Sequence, residues 1–129
     1  MILLDTHALV WAVAEPKRLS KAAVSAIQQA HRTDGVAIAA ITLWELAMLV
    51  FRGRIQSYGT VEASVHLLTN GVVIKPMTAE IAAVAAQFPS DYPRDPADRL
   101  IGATCKVEGI PLITRDEQLR GSPFLQTIW

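Results

Sequence analysis

The chain has 129 residues, 51% of them hydrophobic, with twelve basic residues balanced by twelve acidic ones. That length and composition fit one domain, residues 1–129, with its own core, and exclude a disordered or uniformly charged tail. No apolar run approaches the roughly 20 residues of a membrane span, no signal-like segment opens the chain, and the single cysteine, Cys105, permits no internal disulfide, all of which fits a cytoplasmic protein.

Residues 2–4 (ILL) read as a short buried strand ending at Asp5. An apolar helix is expected from Thr6 to Ala14, with Pro16 closing it. Ser20 is a good N-cap for a second helix over about 20–32, where Ala23, Val24, Ile27 and Ala30 recur at helical spacing. After the Asp34-Gly35 turn, Val36 to Ala39 form a second strand. Thr42 then opens a third helix that runs to Val50 and ends near Gly53. Residues 60–69 predict a fourth helix, and Val72-Val73-Ile74 a third strand stopped by Pro76. Thr78 caps a fifth helix over about 79–87, and Pro89 to Arg94 form a loop. Asp95 as N-cap, Pro96 at the first helical position and Asp98 at the third start a sixth helix, which Gly109 ends. Pro111 to Thr114 form a fourth strand running into Asp116. A short helical turn follows over 116–120, and 125–128 suggest a last edge strand. Short apolar strands alternating with helices argue for an α/β domain around a mostly parallel sheet. Cys105, four residues after Ile101, is expected to be a small buried core residue rather than a nucleophile.

Asp5, Glu45, Asp98 and Asp116 each stand where an apolar run meets a helix start or a turn. In an open parallel sheet, ligands bind beyond the carboxyl ends of the strands, where strand order reverses. Asp5, Glu45 and Asp116 are expected at that edge, and Asp98 joins them if the loop before its helix returns to the same side. Two carboxylates roughly 5 Å apart repel by about 3 kcal/mol at an effective dielectric of 20. Four of them rival a domain's net stability of about 5–15 kcal/mol, so they require protonation or a divalent cation. Oxygen-only ligands favour Mg²⁺, with Mn²⁺ as a substitute. Setting these four acids aside leaves eight acidic against twelve basic residues, a balance that tolerates a polyanionic partner.

Each acid also has a plainer reading. Thr42-Leu43-Trp44-Glu45 is a capping box, in which Glu45 bonds back to the backbone. Asp95 is an N-cap, Asp98 favours the helix dipole, and Asp116 is a turn or cap residue. Asp5 resists such a reading, because a charge ending a buried strand has little evident structural use. Thr6 either caps the first helix or, like Thr114, bonds a carboxylate or a bound water. Arg99 reaches phosphate or pairs with a nearby acid. His7 suits a packed or dimer-facing place better than a ligand. Trp11 and Trp44 suit core packing, and Arg52 and Arg54 either contact a partner or solvate a helix end.

Four blocks in order carry a resemblance. They are Leu4-Asp5-Thr6-His7-Ala8-Leu9-Val10-Trp11, Ile41-Thr42-Leu43-Trp44-Glu45-Leu46-Ala47, Arg94-Asp95-Pro96-Ala97-Asp98-Arg99-Leu100-Ile101-Gly102-Ala103-Thr104 and Pro111-Leu112-Ile113-Thr114-Arg115-Asp116. Over nearly the whole chain the sequence resembles the PIN-domain ribonucleases, specifically the toxins of VapBC toxin–antitoxin pairs. The resemblance implies a three-layer α/β/α sandwich and a Mg²⁺-dependent hydrolysis of RNA phosphodiester bonds. It maps the family's acidic pocket onto Asp5, Glu45, Asp98 and Asp116. Asp5 and Asp98 are then the usual metal ligands, with Asp116 counted beside them. Asp95 belongs to the family's motif and supports the pocket, while Thr6, Arg99 and Thr114, standing beside its acids, are candidates to support the pocket or the substrate. The resemblance also implies a homodimer and a VapB-like antitoxin, received in a groove bordered by the first and third helices.

The rivals fare worse. A haloacid-dehalogenase-type phosphatase wants a second acid two positions after the first, where His7 stands. A phosphorylation receiver wants an acid after the third strand, where Lys75 and Pro76 stand. A non-catalytic module on the same fold, binding RNA or protein, has no reason to keep four repelling charges together.

Overall fold

The computed structural model describes residues 1–129 and is built around five short strands. These are β1 (Ile2–Leu4), β2 (Val36–Ala39), β3 (Val73–Lys75), β4 (Leu112–Ile113) and β5 (Thr127–Ile128). They form one sheet in the order β3-β2-β1-β4-β5, with every neighbouring pair parallel. Seven helices accompany them: α1 (Thr6–Ala14), α2 (Lys21–Arg32), α3 (Ala40–Phe51), α4 (Val61–Leu68), α5 (Ala79–Gln87), α6 (Pro96–Glu108) and α7 (Glu117–Arg120). None is long and apolar enough to cross a membrane.

The period of two along the strands sorts the core into two layers. Ile2, Leu4, Val36, Ile38 and Ile113 point to one face, where they meet Leu9, Ile27, Leu46 and Leu68 from α1 to α4. Leu3, Ala37, Ala39 and Leu112 point to the other, against Ile81, Ile101, Cys105 and Leu119 from α5 to α7. This is the expected α/β/α sandwich. Because both faces are covered, the inner strands read as unbroken apolar runs rather than alternating ones.

Strand order fixes where a ligand can sit. The chain builds outward from β1 through β2 to β3, then crosses back and places β4 on the opposite side of β1. Leu3 pairs with Leu112 and Leu4 with Ile113, so β1 and β4 end side by side at the point where the order reverses.

Several boundaries differ from expectation, among them the last strand, which begins at Thr127 rather than 125. Helix α3 begins at Ala40, not Thr42, because β2 runs straight into it with no side-chain cap at Ala39. Strand β3 is shifted by one residue and lies at the sheet edge, half-open to solvent, so packing does not fix its ends. Strand β4 keeps only Leu112 and Ile113, which leaves Thr114 free to turn its side chain toward β1.

The loop between α5 and α6 is locked by an aromatic wedge. Tyr92 is 3% exposed and stacks on Phe88 with ring centroids 4.0 Å apart. Its hydroxyl donates to the Asp98 carbonyl at 3.2 Å. That approach exists only because position 102, one turn along α6, is glycine: a Cβ there would lie 2.0 Å from the Tyr92 hydroxyl oxygen. A mid-helix glycine costs about 1 kcal/mol against alanine, so Gly102 is kept for space rather than propensity.

Gly102→Ala is therefore expected to destabilise the protein by about 2 kcal/mol in urea unfolding, overpacking outweighing the propensity gain. Adding Tyr92→Phe, which removes the clashing oxygen, should restore part of that loss. A Gly102→Ala protein as stable as the parent would show that the phenol swings aside freely.

Candidate active site

The site begins with one hydroxyl at the switch point. Asp5 follows β1 and is the N-cap of α1, its Oδ1 accepting the Ala8 N–H at 2.8 Å. Its Oδ2 accepts the Thr114 hydroxyl from the end of β4 at 2.5 Å. Thr114 is fully buried, and its Oγ1 in turn accepts the Asp116 N–H at 3.1 Å. One threonine, 109 residues beyond Asp5 in the chain, thus ties the first acid to the backbone of the last. The charge ending β1 does have a structural use, contrary to expectation: it caps α1. Thr6 does not.

Thr6 is instead buried beneath the acids. Its hydroxyl donates to Glu45 Oε1 and lies 3.1 Å from the Thr42 hydroxyl. The capping-box reading of Thr42 and Glu45 fails, because both lie inside α3 and neither caps it. Glu45 is spent on the pocket, held there by a residue of another helix.

The third side comes from α6. Asp95 is its N-cap, accepting the Ala97 N–H at 2.8 Å and the Asp98 N–H at 3.4 Å. Asp98 occupies the first turn and faces the same cavity. Asp116 is exposed and caps α7 through the Gln118 and Leu119 N–H groups, yet its carboxyl also borders the cavity. The loop before α6 therefore does return to the carboxyl edge. The depression has a volume of about 470 Å³ and is lined by Asp5, Thr6, His7, Trp11, Glu45, Asp95, Asp98, Ile101, Arg115, Asp116 and Glu117.

The acids feel one another. Burial, then the nearby charges of Asp95, Asp116, Glu45 and Asp5, push Asp98 up to about 7. Burial also raises Asp5, against the opposing pull of the Thr114 hydroxyl and the Ala8 N–H. Glu45 rises through burial as well, with the Thr6 hydroxyl opposing.

The donors are all oxygens, which suits a hard divalent cation. No three of these side chains converge tightly enough to cage an ion alone, so Asp5, Asp98 and Asp116 are not a preformed three-carboxylate site. The reason lies in their other work, since Asp5 and Asp116 each commit an oxygen to a helix N-terminus. The set still fits Mg²⁺, which keeps several waters and is usually held by one or two carboxylates.

Two expectations are corrected. Arg99 faces away from the pocket: its Nη1 donates to the Ala85 and Phe88 carbonyls at 3.1 Å, and its Nη2 to the Pro89 carbonyl at 3.3 Å. It closes the C-terminus of α5, where carbonyls lack partners and favour a cation. Trp44 is not core but 61% exposed, whereas Trp11 is buried as expected. His7 is exposed and borders the cavity, 5.9 Å from the Trp11 ring. Sequence reasoning missed Arg115, the guanidinium that lines the cavity, and Thr42, which supports Thr6. Arg115 carried a usable signal, being the residue between Thr114 and Asp116.

Comparison with known proteins bears on this arrangement. Residues 2–124 match the PIN domain family model. The chain belongs to the PIN domain family. It is 43% identical over 130 residues to Ribonuclease VapC22 of Mycobacterium tuberculosis, covering 99% of this chain and 98% of that protein. Among solved structures, VapBC2 from Rickettsia felis, bound to a promoter DNA fragment, superposes with a TM-score of 0.75 at 16% identity, covering 98% of this chain and 97% of that one. VapBC-1 from nontypeable Haemophilus influenzae gives 0.74 at 21%, covering 98% and 96%. At those identities the two structures speak to the PIN fold alone.

The Asp98 shift fixes a pH dependence for the metal-free PIN domain. Its folded value of about 7 lies above the ordinary 3.8, so the native state keeps a proton that the unfolded chain releases. Stability in chelator should be highest below the unfolded value, fall as pH rises through the interval between the two, and level off beyond the upper one. Urea unfolding across that range should show this decline, and Asp98→Asn should flatten it. A wild-type stability that climbs over the same interval would contradict the crowded, half-buried placement of Asp98.

Proposed function

We propose that this PIN domain is the ribonuclease toxin of a VapBC-type pair and hydrolyses RNA phosphodiester bonds with Mg²⁺ held by Asp5 and Asp98. One observation carries this reading: Asp5, Glu45, Asp98 and Asp116, from four separate segments, border one cavity at the switch point of the sheet. The relationship to Ribonuclease VapC22 supports it. Mn²⁺ is the natural substitute, since it accepts the same oxygen donors.

When bound, the metal lowers the pKa of a coordinated water and offsets charge on the phosphate. The chain's own groups prepare the place. Thr114 and the Ala8 N–H hold Asp5 in one orientation, leaving its remaining lone pairs toward the cavity. Asp95 and Tyr92 fix the first turn of α6, which carries Asp98. Thr6 occupies Glu45 Oε1, so Oε2 is the atom free to take a proton from the attacking water. The raised affinity of Glu45 for a proton suits it to that role. Asp116 sits across the cavity on the α7 side, where it helps set the local charge. Asp116 stands beside Asp5 and Asp98 as a third candidate ligand, since its carboxyl borders the same cavity.

The partners follow from the same reading. A VapB-like antitoxin would bind the toxin, as the VapBC names of its structural neighbours suggest, and the toxin itself would act as a homodimer in the cytoplasm.

Incubation of purified protein with total RNA tests the activity. Cleavage is expected with Mg²⁺ and should cease with EDTA. Asp5→Asn should lower the rate by roughly a thousandfold, several kcal/mol of lost charge stabilisation. Thr114→Val, which leaves Asp5 in place but unsteered, should cost about tenfold. Equal products in every lane would trace the cleavage to a contaminant and favour a non-catalytic module.

A further inference from the structure

The acid pocket poses a problem for its own substrate. Asp5, Glu45, Asp95, Asp98, Asp116 and Glu117 border the cavity, and each repels a phosphodiester backbone. Something outside the acids has to hold the strand. A second depression, of about 200 Å³, opens beside the first. The two share Thr6, His7 and Glu45, so they are neighbouring compartments of one groove. Beyond those three, the second compartment is lined by Trp44, Met48, Leu49, Arg52 and Arg54. Its indole is 61% exposed, an unusual place for a tryptophan with no ring stacked on it. At the opposite flank stands Arg115, its guanidinium 6.0 Å from the Trp11 ring, which also carries Arg18 at 4.5 Å. None of Arg52, Arg54 and Arg115 forms an ion pair, although acids crowd the space between them.

We infer that single-stranded RNA lies along this groove, one base stacked on Trp44, with backbone phosphates taken by Arg52 and Arg54 on one flank and by Arg115 on the other. This rests on the ribonuclease reading and deepens it. An exposed aromatic face beside guanidiniums is the chemistry that holds single strands, because stacking accepts any base and arginine tracks the phosphates. Charge favours RNA over the antitoxin that the resemblance places between α1 and α3, since two guanidiniums outweigh the one carboxylate, Glu45, that shares the compartment, and complement a polyanion. Arginines on the flanks of an acidic centre would also bring the chain across the centre without cancelling the charge that a metal needs.

The test uses full-length Asp5→Asn protein, which binds without cutting, and a labelled single-stranded RNA of about ten nucleotides followed by fluorescence anisotropy. Trp44→Ala should weaken binding about tenfold. Arg52→Ala with Arg54→Ala, and separately Arg115→Ala, should weaken it and reduce the salt slope by about 0.7 per lost phosphate contact. Arg32→Ala, at the end of α2, serves as the control and should bind as the parent does. In chains that retain Asp5, the groove variants should raise KM by more than they lower kcat. RNA affinity unchanged in both the Trp44 and the Arg52/Arg54 variants would overturn the inference, and a loss confined to binding of a protein partner would assign the groove to that partner. A wild-type chain that binds RNA through these residues but never cleaves it would sink the ribonuclease reading and leave the groove standing.

Discussion

Like charges in a half-buried pocket repel, and what makes this pocket tolerable is the convergence of helix N-termini on it. Asp5 caps α1, Asp95 caps α6 and Asp116 caps α7, while Asp98 lies in the first turn of α6. Each therefore meets unpaired N–H groups and the positive end of a helix dipole. A cap is worth about 1 kcal/mol, whereas one close carboxylate pair costs about 3 kcal/mol at an effective dielectric of 20. The caps lower the repulsion without cancelling it. What remains shows in the group with least direct help: Asp98 accepts no hydrogen bond through its carboxyl and is the acid pushed up to about 7. The fold thus delivers a pocket whose uncompensated crowding favours an extra proton on Asp98.

The parallel sheet is what makes the convergence possible. Helices that follow parallel strands all begin at the carboxyl edge, so α1, α3 and α7 arrive there by topology alone. Helix α6 is the exception, because it precedes its strand. Its N-terminus reaches the pocket through the loop after α5, and that loop is shaped by residues that do not line the cavity. Tyr92 wedges into the gap left by Gly102, and Arg99 ties the last carbonyls of α5 to α6. The Asp95-to-Gly102 stretch therefore carries two kinds of work, acids for the pocket and an arginine and a glycine for the joint that aims them.

This explains which parts of the structure were legible in the sequence. The inner strands, the caps at Ser20, Thr78 and Asp95, and the left-handed stop at Gly109 are local choices that local pattern reveals. The meeting of the acids was legible too, because the sites of strand ends follow from the α/β alternation. The errors share one cause. Glu45 looked like half of a capping box because Thr42 looked like a helix start, but the start was set by β2 feeding directly into α3. Arg99 looked like a phosphate ligand because it adjoins Asp98, yet adjacent helical residues point about 100° apart, and its partners lie 10 to 14 positions earlier in the chain. Trp44 looked like core because its neighbours are apolar, although α3 turns that position outward. Which way a side chain points depends on which neighbour the helix packs against, and one sequence does not state that.

A formal charge of zero would ordinarily argue against a partner made of phosphates. The sum hides an uneven distribution. Half of the acidic residues border one cavity, Asp5, Glu45, Asp95, Asp98, Asp116 and Glu117 of the twelve in the chain. Inside it they repel one another more than they shape the field at a distance, and three are already turned toward helix N-termini. Arginines, by contrast, stand at its edges: Arg115 on one side, Arg52 and Arg54 on the other. At physiological ionic strength a charge is felt over about 8 Å, so the local arrangement of these groups counts for more than their sum. A neutral total is then compatible with a cationic approach and an anionic centre. That is the pairing the proposed ribonuclease reading requires, since it asks one site to accept a polyanion and a divalent cation together.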